Sequence, residues 1–293
     1  MSKKHIHIVS PSGAIDERYI DMASERLRGW GFRVTESAHA RGHYHYFSAT
    51  TEERFADLQR AFDDDDIDIV LCSRGGYGLA QYVDRLRLNP KQLLVGFSDI
   101  TCLHNLAGTQ GISSLHGLMC KHIATLPEDS ESLRMLRDIL SGAPMRYELL
   151  QNYQPLNISG VCSGILRGGN LSVMCGLRGS LLDIPDQGRG TILFLEDIAE
   201  PAHHIDRMMH NLRLGGILQN ISGLIVGQFT DCKEDDRFPG TIYSRIHDMV
   251  SIYDYPVVFD FPAGHTERNI PMMFNTRTTL KVGPERTLIY SEK

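Results

Sequence analysis

The sequence predicts an α/β fold in two domains, of which the first contains a mostly parallel sheet. In the first half of the 293 residues, short apolar runs alternate with segments of helical periodicity. This alternation is typical of parallel strands joined by right-handed crossover helices. In the second half the two kinds of segment follow no such regular order, which favours a mixed α/β sheet in a smaller C-terminal domain.

The elements of the first half follow from periodicity and from the turn residues that interrupt it. The predicted strands are residues 6–9, 32–34, 67–72 and 93–95, and the predicted helices are residues 19–30, 51–62, 79–86 and 130–140. The carboxyl ends of parallel strands meet at one edge of a sheet, and ligands bind outside that edge. Loops that directly follow these strands are therefore the places to look for functional side chains.

The second half contains predicted strands at residues 190–195, 224–226, 257–261 and 278–282, with helices at 205–212 and 242–250. A polar stretch without periodicity separates the two halves. The predicted division is an N-terminal domain over residues 1–143, a linker over 144–160 and a C-terminal domain over 161–293.

Composition excludes several classes of function. The net charge is −6 and no basic stripe is present, so nucleic acid is not an expected partner. No apolar run approaches the ~18 residues of a membrane-spanning helix. The six cysteines form no C-x-x-C pair, which favours a reduced, cytoplasmic protein. The run Asp63–Asp66 is best explained as solvated charge before a strand, and the pair His5 and His7 has no convincing third ligand, so we expect no metal.

The segment 93–100, Leu-Leu-Val-Gly-Phe-Ser-Asp-Ile, is the strongest single indication of chemistry. A strand that ends at a glycine and turns into a helix through Ser98 resembles the nucleophile elbow of serine hydrolases. The final glycine of that motif is missing, because Ile100 stands in its place. Serine and aspartate are also favoured helix caps, and this segment alone leaves that alternative open.

Three further strand ends carry polar residues. Arg74, Gly75 and Gly76 follow one strand, and such a glycine pair lets backbone N–H groups approach an anion, while Arg74 could bind a carboxylate. Glu196 ends a buried apolar run, and His265 follows another in a Gly-His loop. Taken singly, each has an ordinary structural alternative: a tight turn, a solvated acid or an exposed histidine. Glu200 is a second carboxylate that could serve in place of Glu196.

Together these segments resemble the LD-carboxypeptidases, the muramoyltetrapeptide carboxypeptidases of the serine peptidase family that also contains microcin C self-immunity proteins. The resemblance runs from about Ile8 to about Val282. The matching segments are Ser73–Gly78, Gly96–Thr101, Leu195–Ile198 and Gly264–His265, with further matches at Gly164–Leu171, Ile205–Met208 and Ile225–Phe229.

The resemblance implies a Ser-His-Glu triad in which Ser98 is the nucleophile, His265 the general base and Glu196 the orienting acid. The oxyanion hole would consist of the backbone N–H of Asp99 with one from Gly75 or Gly76. The implied reaction releases the terminal D-alanine from a muropeptide tetrapeptide through an acyl-enzyme. The family also implies a homodimer, and no cofactor is required.

Two details are left open by the sequence. Arg74 and Arg167 are both candidates for binding the free carboxylate of the substrate. The alternative functions are a microcin C-type self-immunity peptidase, which acts on peptide-nucleotide or aminoacyl-nucleotide amides, and a binding protein without catalytic activity. The resemblance implies that the immunity proteins carry extra loop sequence with an aromatic residue that stacks on the nucleobase. The only tryptophan here, Trp30, lies early in the chain on a predicted helix, which disfavours the immunity function, although a tyrosine or phenylalanine could stack instead.

Overall fold

The computed structural model describes residues 3–150 and 154–292. These residues form thirteen strands and nine α-helices. The strands are β1 His5–Val9, β2 Arg33–Glu36, β3 Ile69–Cys72, β4 Leu93–Gly96, β5 Ser114–His116, β6 Arg146–Leu150, β7 Gly160–Asn170, β8 Thr191–Ile198, β9 Gly223–Thr230, β10 Val257–Val258, β11 Met272–Phe274, β12 Arg277–Val282 and β13 Arg286–Ser291. The helices are α1 Glu17–Gly29, α2 Thr51–Asp63, α3 Thr101–Thr109, α4 Cys120–Thr125, α5 Glu131–Leu140, α6 Leu171–Gly176, α7 Ala202–Leu214, α8 Ile217–Asn220 and α9 Ile242–Val250.

The chain divides into two compact units. The first comprises the residues up to Ser141 together with Glu267–Met272, and the second comprises Gly142–Thr266 and the residues from Met273 onward. The α/β class of both units is confirmed. The units are of nearly equal length, whereas the sequence predicted a smaller second domain.

The first unit contains a six-stranded sheet in the order β11-β5-β4-β3-β1-β2. The strands β1 to β5 pair in parallel, and the chain reverses its direction of travel across the sheet between β1 and β3. In open α/β sheets the crevice at this switch point is where ligands bind. The loops after β1, β3 and β4 are therefore where a ligand is expected to bind.

The flanking helices form for identifiable local reasons. Helix α1 is capped at its N-terminus by Asp16, whose carboxylate accepts the backbone N–H of Arg18, and the helix buries Ile20, Ala23 and Leu27 on one face. Helix α2 begins with a reciprocal capping box between Thr50 and Glu53. Both helices match their predictions to within a few residues.

One predicted helix of this unit is wrong. Residues 79–86 form two short 3-10 turns, Leu79–Gln81 and Val83–Arg85, instead of a continuous α-helix. Between them Tyr82 has a φ of −154°, and its hydroxyl donates to the carbonyl of Pro11 at 2.7 Å. This buried tertiary hydrogen bond overrides the local helical pattern.

The second unit contains a seven-stranded mixed sheet in the order β10-β9-β8-β7-β12-β13-β6. The strands β7 to β10 pair in parallel, and β12, β13 and β6 pair antiparallel. A core of aliphatic side chains from β8, β9, α7 and α9 packs against one face of the sheet.

The linker predicted at residues 144–160 contains a strand, because β6 occupies Arg146–Leu150 and pairs with β13. Residues 151–153 of the predicted linker lie outside the described residues. Strand β7 is absent from the predicted strands: Gly160–Asn170 is a strand of 11 residues that leads directly into α6. None of the helices in the described ranges is long and apolar enough to cross a membrane.

Candidate active site

Ser98 lies at the turn between β4 and α3, as the sequence predicted. The buried strand ends at Gly96, and Ser98 then adopts a left-handed backbone with a φ of +69°. The side chain is partly exposed. A left-handed conformation is costly for a residue with a Cβ, and such strain concentrates at functional sites. The geometry is that of a nucleophile elbow, in spite of Ile100 in place of the usual glycine.

Gly75 lies directly against the candidate nucleophile. A Cβ placed on Gly75 would lie 2.8 Å from the Cβ of Ser98 and 3.1 Å from its Oγ. Only a glycine leaves room for this approach, which brings the backbone of the loop after β3 next to the serine hydroxyl. The carbonyl of Gly75 accepts the N–H of Gly13 at 3.1 Å, and this bond ties the loop after β1 to the loop after β3.

Gly76 has a φ of +111°, a conformation that L side chains rarely adopt. A Cβ there would also lie 2.5 Å from the hydroxyl of Tyr46. The two glycines proposed for the oxyanion hole therefore have separate reasons to be glycine: close approach to Ser98 for Gly75, and backbone conformation for Gly76.

Asp99 has a role that the sequence reasoning missed, since it was named only for its backbone N–H. Its buried carboxylate accepts hydrogen bonds from Ser12 Oγ at 2.6 Å and from the N–H of Leu79 at 3.1 Å. Burial raises the pKa of Asp99 above its usual range. The aspartate thus joins the segment after Ser98 to the loops that follow β1 and β3.

In the second unit, Glu196 and His265 are in direct contact. The Oε2 atom of Glu196 lies 2.7 Å from Nδ1 of His265. The carboxylate is completely buried, and the imidazole is 15% exposed. The other candidate acid, Glu200, contacts Nδ1 of His204 at 3.0 Å instead.

Backbone geometry explains how Glu196 reaches the histidine. The register between β8 and β9 shifts between Leu195 and Asp197, which places an irregularity at Glu196. On the histidine side, Gly264 has a φ of +132°, and a Cβ at this residue would lie 3.0 Å from Oε2 of Glu196. The glycine before His265 is therefore the residue that lets this loop pack onto the carboxylate.

Asp197 is a second buried carboxylate beside Glu196. It accepts hydrogen bonds from Asn170 Nδ2 at 2.8 Å and from the N–H groups of Ser172 and Ile198, both at 2.9 Å. Burial raises the pKa of Asp197 to about 6. Consecutive strand residues point to opposite faces, so a Glu-Asp pair at a strand end is the signal from which this second role could have been found.

The two candidate carboxylate-binding arginines have different surroundings. Arg74 is exposed beside Gly75, and its Nη1 donates to the carbonyl of Ala14 at 2.6 Å. Arg167 is partly buried, with Nη1 3.4 Å from Oγ1 of Thr191, and burial lowers its pKa. Thr191 begins β8, five residues before Glu196, which corresponds to about 17 Å of extended strand.

The groups described so far fall into two sets. Ser98, Asp99, Gly75, Gly76 and Arg74 are neighbours within the first unit, and Glu196 with His265 are neighbours within the second. No group of three or more histidine, cysteine, aspartate or glutamate side chains in the described ranges is arranged to hold a metal ion. The chemistry that these residues offer is nucleophilic and acid–base.

Comparison with known proteins agrees with the geometry. Residues 6–117 match the family model for the LD-carboxypeptidase N-terminal domain, and residues 163–280 match that for the LD-carboxypeptidase C-terminal domain. A predicted carboxypeptidase of Streptomyces coelicolor is 31% identical over 284 residues, covering 94% of this chain and 89% of the relative. The murein tetrapeptide carboxypeptidase of Pseudomonas aeruginosa is 28% identical, covering 90% of this chain and 89% of its own.

Solved structures show the same fold. The muramoyltetrapeptide carboxypeptidase from Oxalobacter formigenes superposes with a TM-score of 0.86 at 25% identity, covering 99% of each chain. A microcin C7 self-immunity protein in complex with aspartyl sulfamoyl adenosine has the same TM-score, 0.86, at 19% identity, covering 100% of this chain and 97% of its own. With both domain models matched in order and an elbow serine in the first of them, the chain belongs to the LD-carboxypeptidase family and is a serine-type LD-carboxypeptidase.

Proposed function

We propose that this enzyme releases the terminal D-alanine from muropeptide tetrapeptides during peptidoglycan recycling, with Ser98, His265 and Glu196 as its catalytic triad. The hydrogen bond between Glu196 and His265 carries the proposal. A completely buried carboxylate 2.7 Å from an imidazole that is itself partly exposed is the arrangement expected of an orienting acid and a general base. The relatives named for muramoyl and murein tetrapeptides support the choice of substrate.

Glu196 would fix the tautomer of the histidine. When Nδ1–H of His265 donates to Oε2 of Glu196, the neutral ring carries its lone pair on Nε2, which is the nitrogen required to accept a proton. In the described part of the chain, the second oxygen of Glu196 is buried and has no hydrogen-bond partner. The negative charge is therefore directed mainly at the imidazole, and it would stabilise the imidazolium that forms during the reaction.

Ser98 would be the attacking group. His265 removes the hydroxyl proton as Oγ bonds to the carbonyl carbon of the L,D-amide, and the carbonyl π electrons move onto oxygen. The N–H of Asp99 and one N–H of the Gly75–Gly76 pair would stabilise this oxyanion. Collapse of the intermediate expels D-alanine, whose nitrogen takes the proton from His265. Water, activated by the same histidine, then hydrolyses the acyl-enzyme.

Arg74 is the better placed of the two arginines to recognise the free carboxylate of the leaving D-alanine. It is exposed and adjoins Gly75, which contacts Ser98. Its guanidinium donates one N–H to the carbonyl of Ala14, which fixes the group while leaving other donors available. The role of Arg167 in binding this carboxylate remains a prediction. It is not favoured by the contact of the guanidinium with Thr191, at the start of β8.

The proposal is tested by incubating the protein with a UDP-muramoyl tetrapeptide and following the mass of the product. Loss of one D-alanine, absent in Ser98→Ala, is the expected result. No cleavage of the tetrapeptide by the wild type would overturn the proposed substrate. Cleavage of an aminoacyl-nucleotide amide instead would identify the microcin C-type activity, whereas binding without turnover of either substrate would identify a non-catalytic protein.

The assignment of the acid has its own test. Glu196→Gln keeps the shape but removes the charge that orients the histidine, and kcat should fall by about 10⁴. Glu148→Gln is a matched control, because Glu148 lies on β6, at the edge of the same sheet, and is paired with Arg286. Wild-type kcat in Glu196→Gln, with loss of activity in Glu200→Gln, would show that the other carboxylate is the acid.

A homodimer and a cytoplasmic location remain predictions. Light scattering of the purified chain would test the first, and fractionation of the source cells would test the second.

A further inference from the structure

Tyr46 lies against the loop that contacts Ser98, yet the mechanism above gives it no role. Its side chain is 50% exposed. A Cβ built on Gly76 would lie 2.5 Å from the hydroxyl of Tyr46 and 3.3 Å from its Cζ. A Cβ built on the preceding residue, Gly75, would lie 3.1 Å from Oγ of Ser98. Two consecutive glycines therefore bring one stretch of backbone against both the candidate nucleophile and a phenol.

The guanidinium of Arg74 lies close to the same tyrosine ring. A Cβ built on Gly13 would be 3.6 Å from Cε1 of Tyr46 and 3.7 Å from Nε of Arg74. The backbone of Ala14 joins the two side chains' residues, since its N–H donates to the carbonyl of Tyr46 at 3.0 Å and its carbonyl accepts Nη1 of Arg74 at 2.6 Å. The loop after β1 thus holds the phenol and the guanidinium beside each other.

The turn that carries Tyr46 is fixed by its own contacts. Tyr44 and Phe47 exchange two backbone hydrogen bonds of 2.7 and 2.9 Å. The ring of Phe47 packs edge-on against that of Tyr46, with 5.4 Å between the centroids. The buried guanidinium of Arg54 lies 4.4 Å from the centre of the Phe47 ring. A ligand would therefore meet a phenol that is already in place, which reduces the entropy lost on binding.

The charge of the surrounding loops favours an anion as the ligand. The segments 10–15, 42–48 and 73–78 contain no aspartate, glutamate or lysine, and Arg74 is their only arginine. In the described part of the chain, Arg74 forms no ion pair with an acidic side chain, and the hydroxyl of Tyr46 has no hydrogen-bond partner. A guanidinium and a phenol that both have donors available suit an anion with two oxygens, such as a carboxylate.

The spacing of these contacts matches the length of the leaving residue. Gly75 meets Ser98 and the next residue meets Tyr46, and consecutive Cα atoms are about 3.8 Å apart. In the tetrapeptide, the carbonyl that is attacked and the terminal carboxylate are also separated by one residue, the D-alanine. A substrate whose carbonyl lies at Ser98 can therefore place its carboxylate beside Arg74 and Tyr46.

We propose that Tyr46 binds the carboxylate of the departing D-alanine, its hydroxyl donating to one oxygen while the guanidinium of Arg74 donates to the other. The inference rests on the proposed function and adds a second ligand for the carboxylate. A phenol with no other partner gains a charge-assisted hydrogen bond only from a substrate with a free carboxylate. Tyr46 would therefore help the enzyme to select the bond that lies one residue from the end of the peptide.

The test compares kcat/KM for a muramoyl tetrapeptide that ends in D-alanine with kcat/KM for the same peptide ending in D-alaninamide. We expect the wild type to prefer the free acid. Tyr46→Phe should lower this preference about ten- to a hundredfold, the range for one hydrogen bond to a charged group, and Arg74→Gln should lower it as well. Tyr44→Phe is the matched control, because Tyr44 belongs to the same turn and is 48% exposed, and it should keep the wild-type preference.

Two results would overturn the inference. One is a wild-type preference for the free acid in Tyr46→Phe together with a reduced preference in Arg74→Gln, which would assign the carboxylate to the arginine alone. The other is an equal loss of kcat/KM for the acid and the amide in Tyr46→Phe, which would give the hydroxyl a structural role in the loop. Thermal melting shows whether each variant is folded.

Failure of the proposed function is a separate outcome. If the wild type cleaves neither peptide, calorimetric binding of the acid and the amide to the wild type and to Tyr46→Phe tests the inference without turnover. Tighter binding of the acid in the wild type, reduced in the variant, would support the carboxylate site. The same preference in both proteins, or no preference in the wild type, would overturn it.

Discussion

Replacing Gly75 by alanine should separate folding from catalysis in this enzyme. The added methyl would lie 2.8 Å from Cβ of Ser98, and 3.1 Å from both the carbonyl oxygen of Phe97 and Oγ of Ser98. Carbon atoms in contact normally lie about 3.5–4.0 Å apart, so the two segments must separate by roughly 0.7 Å or more. Phe97 is buried and Ser98 is held in a left-handed conformation, so the clash cannot be relieved by a side-chain rotation.

The expected loss of kcat follows from the groups that this separation displaces. A displacement of about 1 Å in a reacting geometry can cost ~10²-fold in rate, and loss of one oxyanion donor costs about 10²–10³ in kcat, or ~2.7–4 kcal/mol. Since Gly75 touches the serine and belongs to the proposed oxyanion hole, we expect Gly75→Ala to lower kcat by about 10²–10³. Overpacking of this kind reduces the free energy of unfolding by about 1–3 kcal/mol, which a folded enzyme can tolerate.

The assay is steady-state release of D-alanine, together with urea unfolding of the same preparation. Gly29→Ala is the matched control: Gly29 ends α1 in the same unit, and a Cβ there would meet nothing within 4 Å. This control should leave kcat unchanged and should not reduce stability, because alanine is the better helix former. A Gly75→Ala enzyme with wild-type kcat would refute the view that close approach of this loop is required.

Substitutions at three other positions test the framework. Gly168→Ala should prevent stable folding of the second unit, because Gly168 has a φ of +141° and its Cβ would overlap the carbonyl of Phe194; circular dichroism of the purified chain would show this. His104→Leu should reduce the free energy of unfolding in urea by about 1–3 kcal/mol, and His104→Gln by less, since the buried ring contacts the carbonyl of Gly96 through Nε2 at 2.9 Å. Burial raises the pKa of Asp197 to about 6, so its contribution to stability is complete below pH ~4 and is lost as pH rises through ~6. The stability difference between wild type and Asp197→Asn should accordingly be larger at pH 4 than at pH 7 in urea titrations, and a constant difference would contradict this.

The sequence was most informative where a short apolar run meets a turn. Ser98, Gly75, Glu196 and His265 all follow or end such runs, so their strand-end positions could be predicted without a structure. Glu196 was favoured over Glu200 because it ends the apolar run and matches the family position. Its contact with the histidine could not be predicted, since the irregularity in β8 that directs Glu196 has no sequence signature.

Other features were missed because tertiary contacts create them. Strand β7 includes glycines at 160, 164, 168 and 169, a composition that weakens a strand prediction. Backbone crowding from Gly190 and Phe194 explains two of them, since a Cβ at Gly164 or Gly168 would collide with a neighbouring carbonyl. The periodicity of α2 does not indicate that Arg54 is buried, yet its guanidinium is buried in the structure.

Arg54 shows why such a position cannot be predicted from the chain alone. Its guanidinium donates to the carbonyls of Ala49 and Pro11 and to the side chain of Gln81. These partners belong to three segments of the chain that are distant from one another in the sequence. Each contact is ordinary, and only the fold brings them around one cation. Its charge also lowers the pKa of Asp99, in opposition to the larger effect of burial.

Ser98 and Glu196, the proposed nucleophile and orienting acid, are each followed in the sequence by a buried aspartate. The two aspartates occur there for a physical reason. Asp99 accepts a hydroxyl and a backbone N–H from two other loops, and Asp197 accepts an amide and backbone N–H groups from the start of α6 and from its own strand. A strained backbone such as that of Ser98, with φ at +69°, persists only when its surroundings over-determine it. A carboxylate one residue away supplies several strong, directional acceptors at the point where the strain must be opposed. Bonds within the first unit therefore hold the strained backbone of Ser98, and bonds within the second unit hold the strand end that carries Glu196.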